Sequence, residues 1–307
     1  MVEHIGNVTL ESPEVDWISD KDLYHENEVC DDKFTFEELE KISQKEVYEI
    51  LINNTKWPIL YHFSPIRHNL LEWYDFKEDA SLLEIGADCG AMTGMFCERV
   101  GKVVGIDTSY KRLKINALRN FKYDNLQLVA CELHDYNSVE KYDYITMIGS
   151  FEYADYLFSA NQADVKWMER LRNMLKQDGK VIIALRNKYA LKYWAGASDD
   201  YSGKLYGNFY NSENTKAKSY SLEMIKDILE KAGYKKSYIY YPVPDYRMPN
   251  EIFSDDHLPK AGQIHGMRNN FDYERYDFFN EDTMMDVICK DNKFPQFANS
   301  YLIICEN

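Results

Sequence analysis

Three acids stand at or just past the ends of strand-like runs. They are Glu84 in LLEIGADCGAMTG (82–94), Asp107 in KVVGID (102–107) and Glu132 just after LQLVA (126–130). A fourth acid, Asp88, sits inside a glycine-bearing turn, where a phosphate-binding loop would hold its second glycine. A dinucleotide site shows GxGxxG with the pyrophosphate over a helix N-terminus. This turn instead reads Gly86-Ala87-Asp88-Cys89-Gly90. Glu84 and Asp88 would repel phosphate oxygens at close range, so the pattern suits a ligand with positive charge and no phosphate. Gly86 and Gly90 would let the backbone pass close beneath it.

S-adenosylmethionine has that chemistry: a cationic sulfonium, an α-ammonium and an adenosine end without phosphate. On this reading Asp88 faces the ammonium and Asp107 takes both ribose hydroxyls. Glu132 meets the adenine amino group, and Leu133 flanks the adenine face. Gly149 and Ser150, closing the fourth strand, offer backbone groups to the methionine part, and Ala87 and Thr108 complete the cofactor set. Asp107 would serve a nicotinamide cofactor equally well. A nicotinamide oxidoreductase is therefore the rival enzyme class, and a non-catalytic S-adenosylmethionine-binding scaffold the rival outside enzymes.

Such a site needs strands that deliver these acids to one sheet end. Strand-like runs cover 81–86, 102–107, 126–130, 142–149, 180–185, 238–242 and 301–306. Helical runs lie at 91–99, 109–119, 164–176 and 221–232. Short apolar strands alternating with amphipathic helices predict an α/β fold, a Rossmann-like seven-stranded sheet with helices on both faces. Ligands of such sheets lie beyond the carboxyl ends of the strands. Residues 1–33 read as acidic and irregular. Thr35 with Glu38, and Ser43 with Glu46, form capping boxes ahead of helix up to Asn54. Ser64 then Pro65 predicts a short helix to about Trp73. The division expected is an N-terminal segment and helical cap over 1–75, then a main domain over 76–307. Insertions at about 187–219 and 243–298 are long enough to act as lids or binding surfaces.

Composition narrows the partners. The chain of 307 residues carries a net charge of −15, with Asp and Glu at 51 against Lys and Arg at 36. A protein that clamps nucleic acid needs cations to displace counterions, and no basic block appears, so nucleic acid is excluded as a partner. No apolar run approaches the roughly 18 residues of a membrane span. The start lacks a charged-then-apolar signal pattern, so a cytoplasmic location is expected. The six cysteines form no CxxC pair, which indicates neither a zinc nor a thioredoxin-type site; no metal is expected.

LLEIGADCGAMTG followed by VVGIDTS resembles the first two motifs of class I S-adenosylmethionine-dependent methyltransferases. The resemblance narrows further. WPILYHFSPIRHNLLEWY, MIGSFEYADYL, ALRNKYALKYWAGASDDYSG and YYPVPDYRMPNEIFSDDHLP are similar to blocks of a bacterial subgroup found with glycan-assembly and peptide-modifying enzymes. These blocks run from about residue 57 to 260. The nearest match is with methyltransferases that esterify the C-terminal carboxylate of lanthipeptide-type peptides. The resemblance implies methyl transfer from S-adenosylmethionine, S-adenosylhomocysteine as product, and association with other biosynthetic enzymes. Four departures lie on the acceptor side. Asp88 replaces a common glycine, and Ser150-Phe151 replaces valine-leucine. Arg186 stands where the subgroup tends to have glutamate, and Tyr201 where it tends to have histidine.

Methyl transfer is an in-line displacement that demands near-attack geometry. A carboxylate acceptor is already ionised near neutral pH, whereas a glycan or other small-molecule hydroxyl needs a base. Glu152, Tyr153 and His68 are the candidate catalytic groups. Arg67 could clamp a carboxylate bidentately, that of the cofactor's methionine end or of the acceptor. Arg186, Lys188, Tyr193, Trp194, Tyr246 and Arg247 are the candidate acceptor-binding residues. The favoured acceptor is a peptide C-terminal carboxylate; the alternative is a glycan hydroxyl.

Overall fold

Apolar runs bounded by turn residues form the strands: all seven expected runs are strands, and Val2–Ile5, Val8–Glu11 and Glu251–Ser254 add three that were not expected. The computed structural model describes residues 1–14, 41, 45, 47–53, 57–132, 134–157, 161–210, 216–268 and 275–307. The chain divides into two compact units, Met1–Met147 with Met174–Lys180, and Ile148–Asn173 with Val181–Asn307.

The first unit begins with a hairpin of β1 (Val2–Ile5) and β2 (Val8–Glu11), paired Ile5 to Val8. Helices α1 (Val47–Asn53) and α2 (Trp57–Phe63) follow, then a 3₁₀ helix over Pro65–Leu70. Ser64 caps that helix, its Oγ accepting from Ile66 N at 3.3 Å. After it come β3 (Ser81–Ile85), α3 (Thr93–Arg99), β4 (Lys102–Asp107), α4 (Tyr110–Arg119), β5 (Leu126–Ala130) and β6 (Tyr142–Ile148). The strands of this unit stand in the order β1-β2-β5-β4-β3-β6. All pairs except the hairpin are parallel, with Leu83 opposite Val104 on one side and Ile145 on the other. Leu82, Leu83, Val103 and Ile145 are fully buried. Strands covered on both faces read as continuous apolar runs, which is why they were legible. The register aligns the ends of β3 and β4 and so brings Glu84, the glycine turn and Asp107 together.

In the second unit α5 (Ala154–Leu157) and α6 (Ala163–Met174) lead into β7 (Leu175–Arg186), which starts in the first unit. Short helices α7 (Leu191–Trp194) and α8 (Gly207–Tyr210) precede α9 (Leu222–Lys231), β8 (Lys236–Val243) and β9 (Glu251–Ser254). The unit closes with α10 (Glu281–Lys290), α11 (Phe294–Phe297) and β10 (Ser300–Glu306). β10 and β9 both run antiparallel to β8, so the strands are mixed in direction and the α/β class holds.

Three expectations are corrected. Residues 1–14 are not irregular: Gly6-Asn7 is a two-residue turn between alternating strands, and Gly6 takes φ +59°. The helix after Ser64 is 3₁₀ and ends at Leu70. The second insertion holds β9 and α10, the latter capped by Asn280 Oδ1 accepting from Thr283 N at 2.8 Å. The capping boxes at Thr35 and Ser43 lie outside the described residues, although Val47–Asn53 is helical as expected. No helix among the described residues is long and apolar enough to cross a membrane.

Candidate functional site

The glycine turn sits between β3 and α3 with its N–H groups turned inward. Gly86 N and Ala87 N both donate to Ile106 O, at 2.9 and 3.1 Å. Asp88 N donates to Asp107 Oδ2 at 3.0 Å, and Gly90 N to Ala87 O at 3.0 Å. A phosphate cradle works by presenting such donors to its anion. Here they are spent on the protein, which is a stronger argument against a phosphate ligand than any lone carboxylate.

Asp88 is a correction to the expected picture. Its carboxylate does not stand open for an ammonium. Oδ1 takes Arg112 Nη1 at 2.8 Å, and Oδ2 lies 3.0 Å from His62 Nδ1, all three side chains buried. Burial pushes the Asp88 carboxyl up, but His62 and Arg112 outweigh it and hold the group well below the usual range. Burial likewise lowers His62, and Asp88, with Cys89, more than reverses that and holds the imidazole well above its usual range. Asp88 also takes φ +46°, a conformation costly for a residue with a Cβ. His62, Asp88 and Cys89 bring metal-type ligand atoms within 4.8 Å of one another. The cationic charge there is already supplied by Arg112, with Arg119 beside it.

The two other acids lack such compensation. Glu84 accepts from Thr93 Oγ1 at 2.6 Å, and burial raises it to about 8 despite Thr93 and Arg67. Asp107 accepts from Asp88 N and from Ser109 N, each at 3.0 Å, and burial with the Asp88 charge raises it to about 7. Beside Asp107, Thr108 Oγ1 is buried without a hydrogen-bond partner among the described residues. Under-compensated carboxyls, an orphaned hydroxyl and inward-turned amides fit a cationic, phosphate-free ligand with hydroxyls. S-adenosylmethionine meets that description, and Glu84, Asp107 and Thr108 are the groups that would hold it.

Sequence reasoning missed the residues that build this turn. One face of α4 carries Arg112, Asn116, Arg119 and Asn120, spaced to line up along the helix. Asn116 Nδ2 donates to Ala87 O at 3.1 Å and to Thr93 Oγ1 at 2.9 Å. Arg119 Nη1 donates to His62 O and Cys89 O, both at 2.6 Å. Asn120 Nδ2 donates to Asn116 Oδ1 at 2.9 Å. A Cβ at Gly90 would come within 2.6 Å of Asn116 Oδ1, so this glycine makes room for Asn116. The signal was a polar stripe at helical spacing on a helix that also buries Tyr110, Leu113, Ile115 and Ala117.

The remaining first-unit candidates fall as follows. Arg67 is buried, its guanidinium 4.0 Å over the Tyr61 ring and Nη1 donating to Tyr61 O at 3.2 Å. It acts on Glu84 electrostatically, which puts it beside the cofactor candidates. His68 Nε2 bonds Ala91 O at 2.9 Å, and burial lowers its affinity for a proton. Glu132 is half-buried, 3.8 Å from His134 Nδ1. Leu133 lies outside the described residues.

The second unit gathers most of the acceptor candidates around Arg186. Its Nε lies 3.0 Å from Asp200 Oδ2, with the guanidinium 4.7 Å over the Tyr201 ring and 6.0 Å over that of Tyr246. Asp200 Oδ2 also takes Lys192 Nζ at 2.6 Å and the Tyr193 hydroxyl at 2.9 Å. Arg247 pairs with Asp245, so its charge is answered locally. Arg186 Nη1 and Nη2 make no hydrogen bond among the described residues, and the side chain stays 15% exposed. Glu152 is fully buried, with Oε1 accepting from Arg186 N at 3.2 Å. Burial raises it, and the Arg186 charge opposes that. Tyr153 meets Tyr201 edge-on at 5.8 Å. Gly149 N donates to Ala184 O at 2.8 Å, and Ser150 is buried. Lys188 and Trp194 stand apart from this cluster: Lys188 N donates to Tyr220 O, and Trp194, 44% exposed, packs on Phe209.

Residues 83–181 match a family model described as a methyltransferase domain. No curated protein matches the sequence. Among solved structures, phosphoethanolamine N-methyltransferase 1 of Haemonchus contortus, in complex with phosphoethanolamine and S-adenosylhomocysteine, is similar at 12% identity and TM-score 0.50. That match covers 89% of this chain and 50% of the other. An S-adenosylmethionine-dependent methyltransferase from Archaeoglobus fulgidus is similar at 17% identity and TM-score 0.48, over 80% and 96% of the chains. The N-methyltransferase NodS from Bradyrhizobium japonicum is similar at 11% identity and TM-score 0.45, over 86% and 98%. At 12% identity the likeness to the Haemonchus contortus structure speaks for the fold alone.

Proposed function

We propose that this chain, an S-adenosylmethionine-dependent methyltransferase, methylates a carboxylate oxygen, with the C-terminal carboxylate of a ribosomally made modified peptide as its favoured acceptor. When bound, S-adenosylmethionine supplies a methyl group on a cationic sulfur, open to in-line attack. Glu84, Asp107 and Thr108 serve to bind and orient the cofactor, and the buried Arg67 balances the charge at Glu84.

The observation that carries the acceptor reading is Arg186. Its Nε side is anchored on Asp200, while the Nη1 and Nη2 end keeps donors for a ligand. Such a fork can make two parallel, charge-assisted bonds to a carboxylate. Asp200 is shared with Lys192, so the pair of cations outweighs the one acid. Tyr201 and Tyr246 present ring faces to the guanidinium and shield part of it. Glu152 holds the Arg186 main chain and so positions the fork. An ionised carboxylate needs no general base, which agrees with His68 being engaged by the Ala91 carbonyl.

The experiment compares methyl transfer to peptides with free C-terminal carboxylates against matched amides, with the parent protein and with Arg186→Ala. The expected result is labelling of the free acids alone, and a raised acceptor KM in the variant. Equal labelling of the amides would rule out the carboxylate and favour a hydroxyl.

A further inference from the structure

We infer that His62 and Arg112 are positioning residues for the cofactor's ribose: by gripping the Asp88 carboxylate they aim the Asp88 main-chain N–H at Asp107. The inference rests on the reading of Asp107 as the acid that takes the ribose hydroxyls.

The contacts form a continuous chain. His62 Nδ1 and Arg112 Nη1 reach opposite oxygens of Asp88, at 3.0 and 2.8 Å. The backbone N–H of that same residue donates to Asp107 Oδ2 at 3.0 Å. The other Asp107 oxygen takes Ser109 N at 3.0 Å, so two main-chain donors set the plane of the carboxylate. The Ser109 donor comes from the start of α4, where the serine is the helix cap. The Asp88 donor belongs to a residue at φ +46°. A left-handed residue with a Cβ is disfavoured by about 1–2 kcal/mol and persists only where its surroundings over-determine it. The two ion pairs supply that determination, and Asn116 adds to it by binding Ala87 O at 3.1 Å and Asp88 O at 3.4 Å. A glycine would adopt this conformation at no cost but would lose the carboxylate that ties the turn to His62 of α2 and Arg112 of α4, leaving the Asn116 and Arg119 contacts to hold it. The arrangement also explains why an acid occupies a position where a small residue would suffice.

The test is binding of two ligands to the full-length chain, measured by calorimetry. S-adenosylhomocysteine carries both adenosine and amino-acid ends; 5′-methylthioadenosine lacks the amino-acid end. Arg112→Met and Asp88→Asn are expected to weaken both ligands by the same factor, about tenfold or 1.4 kcal/mol. Arg112→Lys should recover most of the loss, and Asp88→Asn should add nothing in an Asp107→Asn background. If only S-adenosylhomocysteine weakens, Asp88 addresses the ammonium directly and the inference falls. It also falls if neither ligand weakens, or if Arg112→Met binds more tightly because the freed Asp88 becomes a ligand. Asp107→Asn alone separates the premise: unchanged methylthioadenosine affinity would remove the ribose assignment and the inference with it. Should Arg112→Met lose its cooperative melting transition, Arg112→Lys and Asp88→Asn carry the comparison.

Discussion

Arg119 joins His62 to the glycine turn: one nitrogen, Nη1, donates to the carbonyl of His62 at the end of α2 and to the carbonyl of Cys89 in the turn, both at 2.6 Å. Its guanidinium also lies 4.5 Å from the Phe63 ring centre. Arg119→Met should strand both carbonyls in a dry site. The expected loss is about 1–3 kcal/mol of stability, read from urea unfolding. A cost within experimental error would show that water or a neighbour replaces the guanidinium.

The ligand-free protein should lose stability as pH rises from about 4 to about 8. Burial raises Glu84 to about 8, and burial with the Asp88 charge raises Asp107 to about 7. Over that window the folded chain holds protons that the unfolded chain has already released. The stabilisation is full below the unfolded carboxyl range and is lost on the way up to the folded values. A melting-temperature series checks this, and Glu84→Gln should flatten the upper part of the slope. A melting temperature that climbs across the window would contradict it.

Asp200→Asn should be among the most damaging substitutions in the second unit. Burial pushes the Asp200 carboxyl up, while Lys192, Arg186 and Arg247 together pull it far below the usual range. Removing the charge leaves Lys192 and Arg186 facing each other with no acid between them. Breaking a buried pair of this kind costs roughly 3–5 kcal/mol. Denaturant titration reads the loss.

Gly149→Ala tests why a glycine closes β6. Its φ is +77°, and a Cβ there would lie 2.6 Å from the Tyr246 hydroxyl. The left-handed conformation alone costs about 1–2 kcal/mol. In the double variant Gly149→Ala/Tyr246→Phe the steric part should be relieved and the conformational part should remain. Strict additivity in the double-mutant cycle would mean the two residues do not press on each other.

The elements that position the site were legible because each has a local cause. β3, β4 and β5 are short apolar runs, and Ser109 and Ser221 announce their helices by capping them. The Gly6-Asn7 hairpin was not read from the sequence, because its two short strands sit in an acidic stretch of low periodicity. Likewise, β9 and α10 lie in a stretch whose periodicity is weak and whose ends are set by single contacts, such as the Asn280 cap.

Chain order alone determined that Glu84, Asp88 and Asp107 share one sheet end, because parallel strands and their turns leave no other place for them. It pointed away from a phosphate loop through the Glu84 and Asp88 carboxylates, but the stronger reason is structural: the turn's amides are spent on Ile106, Ala87 and Asp107. Only the tertiary structure decided which way the Asp88 carboxylate turns, because His62 and Arg112 arrive from helices 26 residues before it and 24 after it. The same holds for Arg186, whose partner Asp200 was one acid among many until the fold put it against the guanidinium. Side-chain pairing across such distances depends on packing that no local pattern encodes.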